Sequence, residues 1–151
     1  MVKKAARKSH TVRKPILPWA AAIFLLALIL RLIYVFQARA NPQFAAPMMD
    51  AEIHDEWAWQ MASGVYPGGE PFFRAPLYPL FLSVIYSLGG HNMLLPRLVQ
   101  AVLGSASCVL VYLIGRRLFS QATGQLAGLG AAVYWILIYY DNELLIPVLL
   151  V

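Results

Sequence analysis

The sequence predicts an all-α polytopic membrane protein. Three complete spans and the start of a fourth are joined by an external loop that carries short interfacial helices. Three observations predict this. The chain is 60% hydrophobic and 13% charged, whereas a soluble domain carries about 25% charged residues. Its apolar residues are gathered into long runs, so the bilayer is their solvent. The charges are also sorted along the chain. Of twelve Lys and Arg, Lys3, Lys4, Arg7, Lys8, Arg13 and Lys14 precede the first apolar run, and Arg116-Arg117 close a later one. The seven acids, Asp50, Glu52, Asp55, Glu56, Glu70, Asp141 and Glu143, form two groups elsewhere. Basic residues beside apolar runs mark the cytoplasmic side. That accounts for the net charge of +5 without nucleic acid as a partner.

Residues 1–15 form the cytoplasmic basic tail, and residues 17–37 form the first span. About twenty residues at 1.5 Å rise cross a ~30 Å hydrocarbon core. Arg31 lies in its last third, where a long side chain is expected to snorkel to the interface. The rival reading is a signal peptide cleaved after Ala38-Arg39-Ala40. The apolar run that continues past Arg31 favours a retained helix. In both readings residue 41 is external.

Residues 38–93 form the external loop. Pro42, Pro47, Pro67, Gly68, Gly69 and Pro71 break it up. Within it, residues 50–62 read as a helix with Asp50, Ile53, His54, Trp57 and Met61 on one face at i, i+3, i+4 spacing. The tryptophans suit the headgroup level. Residues 75–88 are apolar, but a helix of that length reaches only about 21 Å. With Pro76 and Pro79 near its start it reads as interfacial or re-entrant, ended by Gly89-Gly90. Residues 94–115 form span 2 and residues 122–140 span 3, with residues 144–151 opening span 4. This parity puts both basic clusters inside and all seven acids outside. Gly124, Gly128 and Ala132, and Ala101, Ser105 and Cys108, lie at helical spacing and read as packing surfaces. Cys108, the single cysteine, reads as a small buried hydrophobe. The apolar run that reaches Val151 suggests a piece of a longer protein.

Two acid groups on one membrane face point to a base or a cation site. Asp50 and His54 stand one helical turn apart, so both can reach one ion or one substrate hydroxyl. Carboxylate oxygens suit a hard divalent cation such as Mg, and imidazole extends the choice to Mn or Zn. The plainer reading is a solvated helix carrying a surface ion pair. Glu143 and Asp141 form the second candidate pair, although an acid at a helix start also complements the dipole and Asp141 could serve as an N-cap. Arg74 and Arg97 flank residues 75–88. Their guanidinium forks suit a phosphate, and interfacial anchoring explains them equally well. No P-loop, HExxH or catalytic-serine motif is present.

Taken together, MMDAEIHDEWAWQMASG, PFFRAPLYPLFLSVIYSLGG, RLVQAVLGSASCVLVYLIGRRLFS and the Gly/Ala-rich third span resemble a known group. It is the N-terminal part of the GT-C membrane glycosyltransferases of the protein-mannosyltransferase / aminoarabinose-transferase / RgtA-B-C-D-like kind, over roughly residues 16–151. The resemblance implies a catalytic acid early in the external loop, matched by Asp50 with Ile53, His54 and Ala58. It implies a basic-Pro segment that holds the lipid phosphate, matched by Arg74-Ala75-Pro76, and an Arg opening the second span, matched by Arg97. It also implies a second acid after the third span, matched by Asp141 or Glu143. There are departures: Ala51 separates Asp50 from Glu52, Phe73 precedes Arg74, and Pro147 stands where some members carry the second acid.

The reaction so implied transfers a sugar from a polyprenyl-phosphate donor to a hydroxyl of a lipid, glycan or protein acceptor, with inversion. It would take place on the extracytoplasmic face of a bacterial-type inner membrane and serve protein glycosylation or lipopolysaccharide modification. A divalent metal held by Asp50, His54 and Glu143 is a further expectation, as is the inability of this stretch to turn over by itself. The competing class is a non-catalytic assembly subunit or transporter fragment. Convergence of Asp50 with Asp141 or Glu143 discriminates between the two.

Overall fold

The computed structural model describes residues 16–65 and 75–150. The basic tail, Glu70 and Arg74 lie outside the described residues. Among those described every regular element is helical: α1 (Leu17–Ala38), a 3-10 turn (Pro42–Phe44), α2 (Asp50–Ala62), α3 (Leu77–Gly89), α4 (Leu94–Leu118), α5 (Gln121–Val133), α6 (Trp135–Asn142) and α7 (Pro147–Leu150). The protein is an all-α polytopic membrane protein. α1 and α4 are each long and apolar enough to cross a membrane, and α5 with α6 makes a third candidate, bent by 51°.

The helices start and stop where local chemistry requires. Pro18 occupies the first turn of α1, where its missing N–H has no helical partner in any case. Ser120 caps α5 by accepting a hydrogen bond from the Thr123 N–H at 3.1 Å. α3 tolerates Pro79 for the same first-turn reason. It ends at Gly90, whose φ of +73° only glycine adopts without strain, and the Gly90 N–H donates to the Tyr86 carbonyl at 2.8 Å.

Two separate cores result. In the membrane bundle α4 packs against α1, α5 and α6, and Ile23, Ala27, Cys108, Tyr112 and Ala132 form its centre. Close approach is enforced by small residues. A Cβ on Gly128 would stand 2.8 Å from the Tyr112 Cβ and 2.9 Å from Ile23, and one on Gly124 would stand 2.5 Å from the Tyr112 carbonyl oxygen. The second core joins α2 to α3 through Ala51, Ala58, Tyr78, Leu82 and Tyr86, and Leu144 and Val148 close over it.

Three expectations are corrected here. The span expected over residues 122–140 is broken at Tyr134, whose extended backbone (φ −70°, ψ 107°) separates α5 from α6. No Pro or Gly marks that break. It coincides with a tertiary contact, in which Trp135 stands edge-on to Tyr34 of α1 at 4.9 Å. Arg31 does not snorkel. It is 2% exposed, and its Nε donates to Asp141 Oδ2 at 2.7 Å. On α2 the buried residues are Ala51, His54, Asp55 and Ala58, a face that keeps His54 from the expected Asp50–Ile53–His54–Trp57–Met61 stripe but is rotated towards the small alanines, which let α3 approach closely.

Candidate active site

The C-terminal end of α1, the N-terminal end of α4 and the end of α6 meet the α2–α3 pair at one end of the bundle. There the 3-10 turn is fixed by the Asn41 side chain, which accepts from the Gln43 N–H at 3.0 Å. The chain then runs to Met49, the one non-glycine residue with positive φ (58°) among the described residues. Such a backbone conformation is costly for an L side chain and tends to persist where a site requires it. The bend starts α2 at Asp50, so the carboxylate stands on the first helical turn.

Asp50 lines a cavity of about 400 Å³ together with Met48, Met49, Tyr139, Glu143 and others. That volume falls within the range of small-ligand pockets. A smaller polar recess of about 80 Å³ shares Gln43, Tyr139 and Glu143 with it and adds Tyr34, Asn41, Arg97 and Asn142. Asp50 and Glu143, on either side of two spans in the sequence, therefore share one wall-to-wall space.

Residues 141–143 are each held from another helix. Asp141 takes the Arg31 bond. The Asn142 carbonyl accepts from Arg97 Nε at 2.9 Å, and the Glu143 carbonyl accepts from Gln100 Nε2 at 3.3 Å. The Glu143 side chain is thereby presented to both spaces. Asp141 instead lines a separate small void with Arg31, Gly104 and Cys108. Gly104 is required there, because a Cβ would meet the Asp141 carboxylate and come 2.8 Å from Arg31 Nε.

Other residues singled out in the sequence are placed as follows. Arg97 is 2% exposed; its NH1 donates to the carbonyls of Phe44 (3.0 Å) and Met93 (2.8 Å), and its guanidinium lies 3.9 Å over the Phe44 ring. His54 is buried, with its ring edge-on to Tyr78 at 5.2 Å, and is absent from the lining of the Asp50 cavity. Arg74 lies outside the described residues. Among the described residues no three of His, Cys, Asp and Glu form a group able to hold a metal ion. Asp50, His54 and Glu143 thus do not fit as a three-ligand set.

From the sequence alone Glu52, Asp55, Glu56 and Glu70 read as solvated loop charges, whereas Asp55 is buried. It accepts from the Tyr86 hydroxyl at 2.5 Å, and His91 Nε2 lies 3.0 and 3.1 Å from its two oxygens. His91 in turn stacks on Trp59 at 4.8 Å. Burial, then the bond to Asp55, pushes the Tyr86 hydroxyl far above its ordinary value, so it stays a donor. Burial does the same to Tyr78, against a smaller opposing effect of the Gln100 hydrogen bond (2.6 Å).

Sequence reasoning missed Tyr139, Gln43 and Asn142 as lining residues, and Gln100 as the anchor of Glu143. Gln100 carried a usable signal, since an amide inside an apolar span needs an internal partner. Tyr139 and Gln43 carried none, because their roles depend on which distant segment lies opposite.

The fold and this end of the bundle define an integral membrane protein with an acid-lined cavity formed where the α2–α3 pair meets its candidate spans. A sequence model of the dolichyl-phosphate-mannose-protein mannosyltransferase family matches residues 73–150. The chain belongs to that family of membrane glycosyltransferases, which use lipid-linked sugar donors. The matched stretch contains Arg74, Arg97, Asp141 and Glu143, while Asp50 and His54 precede it. Comparison with curated proteins gives no match, and neither does comparison with solved structures.

Proposed function

We propose that this chain carries the acid site of a glycosyltransferase that moves a sugar from a polyprenyl-phosphate to an acceptor hydroxyl at the extracytoplasmic face of a bacterial-type inner membrane. The observation that carries the reading is the shared cavity: Asp50 and Glu143 line one space of about 400 Å³ beside the membrane-spanning bundle. Asp50 is the general base. It takes the proton of the acceptor hydroxyl as that oxygen attacks the anomeric carbon. The bond from the anomeric carbon to the phosphate oxygen breaks on the opposite face, and the lipid phosphate leaves as an anion, so the sugar is inverted.

Glu143 is assigned to orienting the acceptor by accepting from a second hydroxyl. It is preferred to Asp141, whose carboxylate is occupied by Arg31. Arg74, at the basic-Pro segment, is assigned to the lipid phosphate, for which a guanidinium fork is well shaped.

The test is sugar transfer from a polyprenyl-phosphate donor by the full-length enzyme in membranes, normalised to folded protein. Asp50→Asn is expected to lower the rate by about 10²–10⁴-fold, the usual contribution of a positioned base, and Glu143→Gln by a smaller factor. Normal transfer by folded Asp50→Asn protein would remove the assignment.

A further inference from the structure

Arg97 is a cation lining the polar recess that adjoins the Asp50–Glu143 cavity, a place where a guanidinium could serve as a ligand for the donor phosphate. Its surroundings argue otherwise. The guanidinium is 2% exposed, and its bonds go to backbone carbonyls of three different segments. Nε reaches Asn142 at 2.9 Å, and NH1 reaches Phe44 at 3.0 Å and Met93 at 2.8 Å. The Phe44 ring covers one face of the guanidinium at 3.9 Å.

The choice of carbonyls is physical. Asn142 ends α6 and Phe44 ends the 3-10 turn. Terminal carbonyls lack intrahelical donors and carry the negative end of the helix dipole. A planar, permanently charged group with fixed donor directions can satisfy two such ends at once, whereas a single ammonium cannot match that fork. Asn142 immediately precedes Glu143. Phe44 opens the stretch through Pro47, Met48 and Met49 that walls the cavity and delivers Asp50. One side chain therefore ties together the two backbone segments from which the two acids project.

We propose that Arg97 is a positioning residue that yokes the walls of the Asp50–Glu143 cavity and sets the separation of the two carboxylates, and that it is not a ligand of the donor phosphate. This inference rests on the glycosyltransfer reading for its kinetic consequence, but the geometric consequence stands by itself.

The test uses the Arg97→Met and Arg97→Lys variants of the full-length enzyme in membranes. Transfer is measured against the concentration of polyprenyl-phosphate sugar. Separately, nitroxide labels are placed at the exposed positions Ala46 and Tyr140 as cysteines and their distance distribution is read by pulsed EPR. Native Cys108 is 1% exposed and leaves the labelling selective. Arg97→Met is expected to lower kcat by about tenfold or more, as a misplacement of reacting groups does. The donor KM should stay within about twofold, the pattern of lost transition-state geometry. The label distribution should broaden. Arg97→Lys should recover part of kcat and narrow the distribution again, since an ammonium still donates to carbonyls.

A donor KM raised about tenfold with kcat and distances unchanged would make Arg97 a phosphate ligand and overturn the inference. Less folded protein with normal kcat per folded molecule would reduce it to a stability residue. Should Arg97→Met fail to fold, Arg97→Lys gives the same readouts. If Asp50→Asn and Glu143→Gln both transfer normally, the parent reading falls, while the label distances still decide whether Arg97 sets the cavity.

Discussion

Asp141 and Glu143 stand two residues apart at the end of α6 and belong to different regions of the molecule. Asp141 turns into the bundle, where Arg31 meets it at 2.7 Å and Gly104 leaves room for the pair. Glu143 turns to the cavity that also holds Asp50. The bundle is built from small residues on facing helices, and within it the Asp141 carboxylate is matched by Arg31. The cavity end is built from helix termini, a strained turn at Met49 and carbonyls collected by Arg97. The difference shows how a membrane protein can hold acids within two residues of each other and commit one to packing while presenting the other. The reach of a cation decides it. A buried carboxylate requires a partner, whereas one that lines a cavity does not.

The largest expected effect breaks the bundle side of this contrast. Asp141→Leu leaves the buried Arg31 without its carboxylate and should cost about 3–5 kcal/mol of stability, while Arg31→Met combined with Asp141→Leu should recover most of it, because two apolar groups of similar size replace a desolvated pair. Thermal unfolding in detergent measures both, and a double variant as unstable as the single would show that the pair is not the unit. Transfer per folded molecule should suffer far less in the double variant than in Asp50→Asn, which sharpens the distinction between the two acids.

Gly104→Ala should come next. The new methyl would have to displace the Asp141 carboxylate and Arg31 Nε, an overpacking effect of about 1–3 kcal/mol. An unchanged unfolding temperature would show that the pair can shift aside at no cost.

The smallest effect lies in the external pair of helices. Tyr86→Phe removes one donor from Asp55 and leaves His91 in place, so about 1 kcal/mol is expected, read as faster hydrogen exchange in α2 and α3. The same contact gives a pH dependence. The folded Tyr86 hydroxyl titrates above its ordinary value of 10.0. Its contribution is therefore complete below pH 10 and is lost as the pH rises beyond it, where the unfolded chain releases the proton first. Protection of α2 that is unchanged by Tyr86→Phe, or that weakens below pH 10 through this residue, would contradict the assignment.

Much of the helical layout was legible in the residues. The i, i+3, i+4 pattern with its breakers marked a helix over residues 50–62, and α2 covers Asp50–Ala62. The short apolar stretch with two early prolines marked α3 as too short to span. Small residues at four-residue spacing marked Gly124, Gly128 and Ala132 as a packing face, and all three are buried. The break at Tyr134 was not legible, because a tertiary contact accompanies it and no helix-breaking residue does. Nor were the fates of Arg31, Asp55 and Asp141, each read as exposed or reactive and each found buried against a partner far away in the sequence.

The sequence by itself determined that this chain is a membrane protein and that its acids gather in two groups, because those properties rest on local composition and on periods of a few residues. Its membership of a mannosyltransferase family was legible in the order of its motifs. Only the tertiary structure decided which acids face one another. That choice depends on which buried cation reaches which carboxylate and on whether a glycine lets two helices close. Both are distances between residues that the sequence keeps far apart.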